Sequence, residues 1–258
     1  MRIALGQISS TADPRANLDL VAAEVAAARD AGARLLVLPE AAMCRFGVPL
    51  APAAEPVDGP WASTLERLAD EAGLTVVVGA FTPGEGGRVR NTLLVRGGGV
   101  RAHYDKVHLY DAFGHAESDT VEPGREPVVV DVDGVGVGLA TCYDVRFPGL
   151  FTALADRGAS VVAVAASWGA GPGKAEQWEL LARARALDST CFVLACGQAD
   201  PGVPSDAPTG VGRSLVVSPL GEVLAGLGPA PGRLVVDVDP GEVGHVRGVL
   251  PVLANRRF

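Results

Sequence analysis

Three side chains of the types needed to open a carbon–nitrogen bond each stand just past an apolar run: Glu40 after LLVLP, Lys106 after the Val100 to Tyr104 segment, and Cys142 after VGVGLAT. A cysteine attacking a carbonyl or nitrile carbon needs a base for its proton, a cation or N–H donors for the developing negative charge, and an acid for the leaving nitrogen. Glutamate, lysine and cysteine supply those functions. In this reading Glu40 takes the thiol proton, returns it to departing ammonia or amine, and then activates water against a thioester on Cys142. Lys106 and the backbone N–H of Tyr143 hold the oxyanion. Taken singly, the same residues also fit a solvated acid at a strand end, a surface lysine and a buried apolar cysteine.

The stretch that positions the sulfur is Gly134 to Asp156. Val135, Val137 and Leu139 alternate with glycines as a strand does, and Leu150, Phe151, Leu154 and Ala155 repeat with helical spacing behind Pro148, a favourable first-helix residue. Cys142 is thereby expected on a strand-to-helix turn. Unpaired N–H groups at a helix start favour thiolate over thiol, so an open, electropositive turn is expected there.

Elsewhere the chain alternates strand and helix patterns. Arg2 to Gln7 is a strand, a helix runs from about Ala16 to Ala31, and Arg34 to Leu38 is an apolar run of the kind buried parallel strands show. Pro60-Trp61 opens a second helix, Gly73 ends it, and strands follow over Thr75 to Phe81, Val89 to Val95 and Val100 to Tyr104. Val107 to Arg125 has neither period and is read as a long functional loop. Strands over Val128 to Val132, Ser160 to Ala166 and Phe192 to Cys196, a helix from Lys174 to Asp188, a loop from Ala199 to Gly212, short strands near Ser214, Glu222 and Leu234, and a helical stretch near Gly241 complete the pattern. The class is α/β, with Glu40, Lys106, Cys142 and Trp168 all just past strands, where such folds put ligands.

Composition narrows the partners. A net charge of −8 with scattered Lys and Arg argues against nucleic acid. No apolar run reaches the roughly 18 residues of a membrane helix, and MRIALGQISS lacks a signal-peptide core, so a cytoplasmic protein is expected. The four cysteines, Cys44, Cys142, Cys191 and Cys196, show no CxxC spacing and are expected as free thiols.

LLVLPE ending at Glu40, YDKVHLYDAFG around Lys106, GLATCYDVRFP around Cys142 and the carboxyl-terminal LPVLANRRF resemble, in order and over the whole chain, the carbon–nitrogen hydrolase (nitrilase) superfamily. The resemblance implies one domain over 1–258 with a four-layer αββα sandwich, self-association into homodimers or larger assemblies, a Glu40, Lys106 and Cys142 triad, and no cofactor or metal. It also implies a second glutamate, matched by Glu117, that positions Lys106 and the substrate amide. SWGAGPGKAEQWELLARARALDST resembles the pocket wall of amidase branches, which makes Trp168 a substrate-contacting residue; a core tryptophan is the alternative. Arg146 is expected to meet a substrate carboxylate or to form a salt bridge near the helix start.

Among branches, HLYDAFGHAESDTVEPG looks most like small-amide amidases acting on ω-amides or deaminated glutathione, with N-carbamoyl amidohydrolase and nitrilase as alternatives and His115 as a departure. A Cys-His hydrolase would need His103, His108, His115 or His245, and His108 reads better as a supporting residue. The remaining alternative is a catalytically silent member that binds a small amide or a protein.

Overall fold

The computed structural model describes residues 1–202 and 210–257; the middle of the loop expected over 199–212 and the last residue of LPVLANRRF lie outside the described residues. Strands β1 (Arg2–Gln7), β2 (Leu35–Val37), β3 (Thr75–Pro83), β4 (Val89–Gly97) and β5 (Val100–Asp105) build most of one six-stranded sheet. A hairpin, β6 (Asp111–Ala112) and β7 (His115–Ala116), follows. The second sheet takes β8 (Val129–Val132), β9 (Val135–Thr141), β10 (Val161–Ala166), β11 (Phe192–Gly197), β12 (Leu215–Val217) and β13 (Val223–Gly226). The last strand, β14 (Gly232–Asp237), returns to the first sheet and pairs antiparallel with β1.

In each sheet three inner strands run parallel, β1 with β2 and β3, and β9 with β10 and β11. Side chains on successive strand residues point to opposite faces, and both faces here are apolar. Ile3, Leu5, Leu35, Val37 and Val77 meet Leu139, Val161, Ala163, Leu194 and Cys196 in a core between the two sheets. The intervening Ala4, Leu36, Val76 and Val78 face outward onto helices α1 (Pro14–Asp30) and α2 (Pro60–Ala72). Ala140, Val162, Val164 and Val193 do the same for α3 (Pro148–Asp156) and α4 (Lys174–Ser189). Three cores between four layers make this the αββα sandwich expected from the resemblance.

Two glycines permit close approach of the backbone. A Cβ on Gly79 in β3 would lie 2.6 Å from Pro39 O, Glu40 Cα and Ala41 N, and one on Gly136 in β9 would lie 2.2 Å from Gly158 O. Only glycine allows such contacts. The segment 107–125 departs from its expectation as an unstructured loop, since it carries the β6–β7 hairpin and a 3₁₀ turn over Glu117–Asp119. A short helix α5 (Glu242–Val249) follows β14, and no described helix is long and apolar enough to cross a membrane.

Candidate active site

Glu40, three residues beyond β2, is buried, and its backbone is clamped from two sides. The Gly79 N–H donates to Pro39 O at 3.0 Å, and the side-chain amide of Gln198, just past β11, donates to Glu40 O at 3.0 Å. The Glu40 carboxylate is equally tied. Its Oε2 accepts from the Ser167 N–H at 2.7 Å, and its Oε1 accepts from Lys106 Nζ at 3.0 Å and Asn91 Nδ2 at 2.8 Å.

Lys106 follows β5 directly and is buried against two acids. Besides Glu40 it reaches Oε1 and Oε2 of Glu117 at 3.2 and 2.9 Å. Glu117 opens its 3₁₀ turn and also accepts from the Tyr110 N–H at 2.6 Å. It is buried. Burial, the largest influence on Lys106, lowers its pKa, but Glu40, Glu117 and the Cys142 side chain outweigh it and raise the ammonium above the ordinary lysine range. Lys106 is a permanent cation near neutral pH.

Cys142 begins a five-residue 3₁₀ turn, Cys142–Arg146, and is half-buried. Its φ of 48° lies in the left-handed region, where a non-glycine residue is strained by about 1–3 kcal/mol. Asp144 fixes the turn. Its buried carboxylate accepts from the Thr141 N–H at 2.8 Å, from Tyr104 Oη at 2.7 Å and from the His108 N–H at 3.0 Å, and it lies 2.7 Å from His108 Nδ1. Since Tyr104 and His108 flank Lys106, one carboxylate joins the lysine segment to the cysteine turn. Burial, then Asp144, holds the Tyr104 phenol well above its usual range, which keeps it a donor.

The thiol reverses its expectation. Burial first, then Glu40, pushes the Cys142 thiol well above the ordinary cysteine range, against the opposing pull of Lys106. A short 3₁₀ turn with desolvated sulfur beside a carboxylate favours the neutral thiol, whatever the partial charge of the turn. The resting proton therefore belongs to sulfur.

Of the other expected residues, Tyr143 is second in the 3₁₀ turn, where N–H groups have no partner within the turn, and its ring meets Tyr110 and Phe147 edge-on. Trp168 is buried in the core under α4, its indole N–H donating to Lys174 O at 2.8 Å. Its neighbour Ser167 supplies the N–H that Glu40 uses. The Arg146 guanidinium lies 5.0 Å from the Trp168 ring and donates to Gln177 Oε1 at 2.7 Å; it forms no salt bridge among the described residues. His108 stacks on Phe147 at 3.8 Å and serves Asp144, as a supporting histidine would. His115 sits exposed on the β6–β7 hairpin. No described group of three or more His, Cys, Asp or Glu side chains is arranged to hold a metal ion.

Sequence reading missed Asn91, Asp144 and Gln198. The one available signal was an asparagine inside the strand pattern VRNTLLV, a position where that residue is depleted. As assembled, the cluster offers a nucleophile with its proton, a carboxylate to receive it, a fixed cation and turn N–H groups for an oxyanion.

Known proteins bear on this geometry. Hydrolase Rv0480c of Mycobacterium tuberculosis is 60% identical over 267 residues, covering 99% of this chain and 95% of that protein. Deaminated glutathione amidase of Escherichia coli is 36% identical over 263 residues, covering 100% of this chain and 98% of the relative. Among solved structures, a variant of the amidase from Nesterenkonia sp. AN1 carries the acetamide moiety of fluoroacetamide on its active-site cysteine; it is 31% identical with a TM-score of 0.83, covering 100% of this chain and 94% of that one. The carbon–nitrogen hydrolase family profile matches residues 2–248, and the chain belongs to that family.

Proposed function

We propose that this protein is a cysteine amidohydrolase that converts a small, non-peptide carboxamide to carboxylate and ammonia through a thioester on Cys142. The observation that carries the reading is one ammonium, Lys106, held between two buried carboxylates beside a half-buried cysteine at φ 48°. Sγ bonds to the amide carbon as its proton passes to Glu40. Lys106 and the Tyr143 N–H hold the oxyanion, and losing one such donor costs roughly 2.7–4 kcal/mol of barrier. Glu40 then protonates the nitrogen, the C–N bond breaks and ammonia leaves. Water next gives its proton to Glu40 while its oxygen attacks the thioester, and the departing sulfur recovers that proton. Glu117 keeps Lys106 in place and faces the substrate amide, with Trp168 and Arg146 at the substrate wall.

Similarity to deaminated glutathione amidases supports an ω-amide or a deaminated-glutathione-like compound as the substrate. The test is intact-mass detection of an acyl adduct at Cys142 across amides, N-carbamoyl compounds and nitriles. An adduct and turnover with amides, both lost in Cys142→Ala with the fold retained, are expected. Preference for carbamoyl compounds or nitriles would reassign the acceptor, and a folded, reduced protein inert to all three would favour a silent binding member. We further assign one catalytic unit to the chain, a cytoplasmic location and a homodimeric or larger assembly.

A further inference from the structure

Asn91 is the third residue of β4 and is wholly buried. Its Nδ2 donates to Glu40 Oε1 at 2.8 Å and Glu117 Oε1 at 3.2 Å. Lys106 Nζ approaches the same two oxygens at 3.0 and 3.2 Å. The Asn91 carbonyl accepts the Lys106 main-chain N–H at 2.9 Å. One residue thus touches all three charged members of the cluster. Its own Oδ1 is buried with no hydrogen-bond partner among the described residues. Turning the amide over would aim that oxygen at two carboxylates, so the charges around it impose the donor orientation.

Two carboxylates on one ammonium leave an excess of negative charge, and like charges in a buried site repel each other. A Glu40 turned away by that repulsion is out of reach of the Cys142 proton. We infer that Asn91 is a positioning residue that holds the Glu40 and Glu117 carboxylates together on a single lysine, by giving both the same neutral donor. The titratable groups facing it are Glu40 from beyond β2, Lys106 from beyond β5, Glu117 from the turn after β7, and Cys142 of the turn after β9 through Glu40. On β4 itself Arg90 is engaged elsewhere, with Glu122 and Asp105.

The inference rests on Glu40 as the base, and one arm of its test needs no substrate. Asn91→Leu, similar in size and without a donor, is compared with wild type in two measurements: kcat and KM on the amide that acylates Cys142, and iodoacetamide alkylation of Cys142 across pH followed by mass. A fall in kcat of about tenfold or more with KM little changed is expected. Because Glu40 helps to raise the Cys142 thiol, turning it away is expected to move the sulfur's alkaline titration to lower pH. Asn91→Asp, which replaces the donor by a third carboxylate, is expected to lower kcat further. A kcat and a sulfur titration that stay put in a folded Asn91→Leu protein would reduce Asn91 to packing and overturn the inference. Should that variant fail to fold, Asn91→Ala is read by the same two measurements. If wild type hydrolyses no amide, the alkylation titration alone decides, so the amidase reading and this inference fail separately.

Discussion

The location of one proton governs the chemistry of Cys142. Burial and Glu40 raise its thiol, so free thiolate is scarce near neutral pH, and in the proposed mechanism attack depends on transfer to Glu40. Glu40→Gln is therefore expected to lower kcat by about 10² to 10⁴ fold. Because the carboxylate charge is one cause of the raised thiol, the same substitution removes that repulsion, and the alkaline titration of sulfur is expected to move to lower pH. Alkylation of Cys142 across pH measures it; an upward movement would remove Glu40 from the sulfur's surroundings. Cys44, Cys191 and Cys196 are buried, and burial is the largest cause raising each. Cys142 is expected to be labelled first in the native protein, and earlier labelling of any other would contradict the burial order. At this scale the sequence revealed the four residues with reactive side chains, since each stands beside a recognisable motif. It did not reveal Asn91 or Asp144, whose partners lie up to 51 and 40 residues away in sequence and give a polar side chain meaning only after folding.

Strand ends and tight turns set the geometry, so changes to backbone spacing reach the chemistry without touching a reactive group. Gly79→Ala would drive a methyl into the backbone of Glu40, whereas Gly136→Ala would press on Gly158, in the turn after α3. Each is expected to destabilise by about 1–3 kcal/mol through overpacking. Only Gly79→Ala is expected to lower kcat per folded molecule as well. Thermal unfolding together with active-site titration separates the two, and equal specific activity in both would uncouple β3 from Glu40. Asp144→Asn would leave several donors of two segments short of an acceptor, with an expected cost of about 1–3 kcal/mol. The long strands and helices were legible because apolar periodicity declares them. The β6–β7 hairpin was not, because two-residue strands are too short to show a period, and the turn that buries Glu117 went unseen with it.

Four layers leave the outer faces of the helices to meet water or another subunit. Leu180 is 67% exposed, and Leu187 on the same helix and Leu220, Val223 and Leu224 after β12 are also uncovered. Their presence supports self-association through the α4 side of the molecule. Light scattering is expected to report a dimer or larger species, and Leu180→Glu a smaller one; a monomeric wild type would refute the assembly. The layer order itself was carried by the family resemblance, since alternating strands and helices establish an α/β class without saying that two sheets stack. One pairing has a further consequence. The first sheet is flanked on β1 by β14, whose residues 232–237 are made long after those of β1. During synthesis, Glu40 and Lys106 are translated early but their supporting sheet stays open along one edge until late residues leave the ribosome. Until then that exposed edge is the surface a chaperone would have to shield.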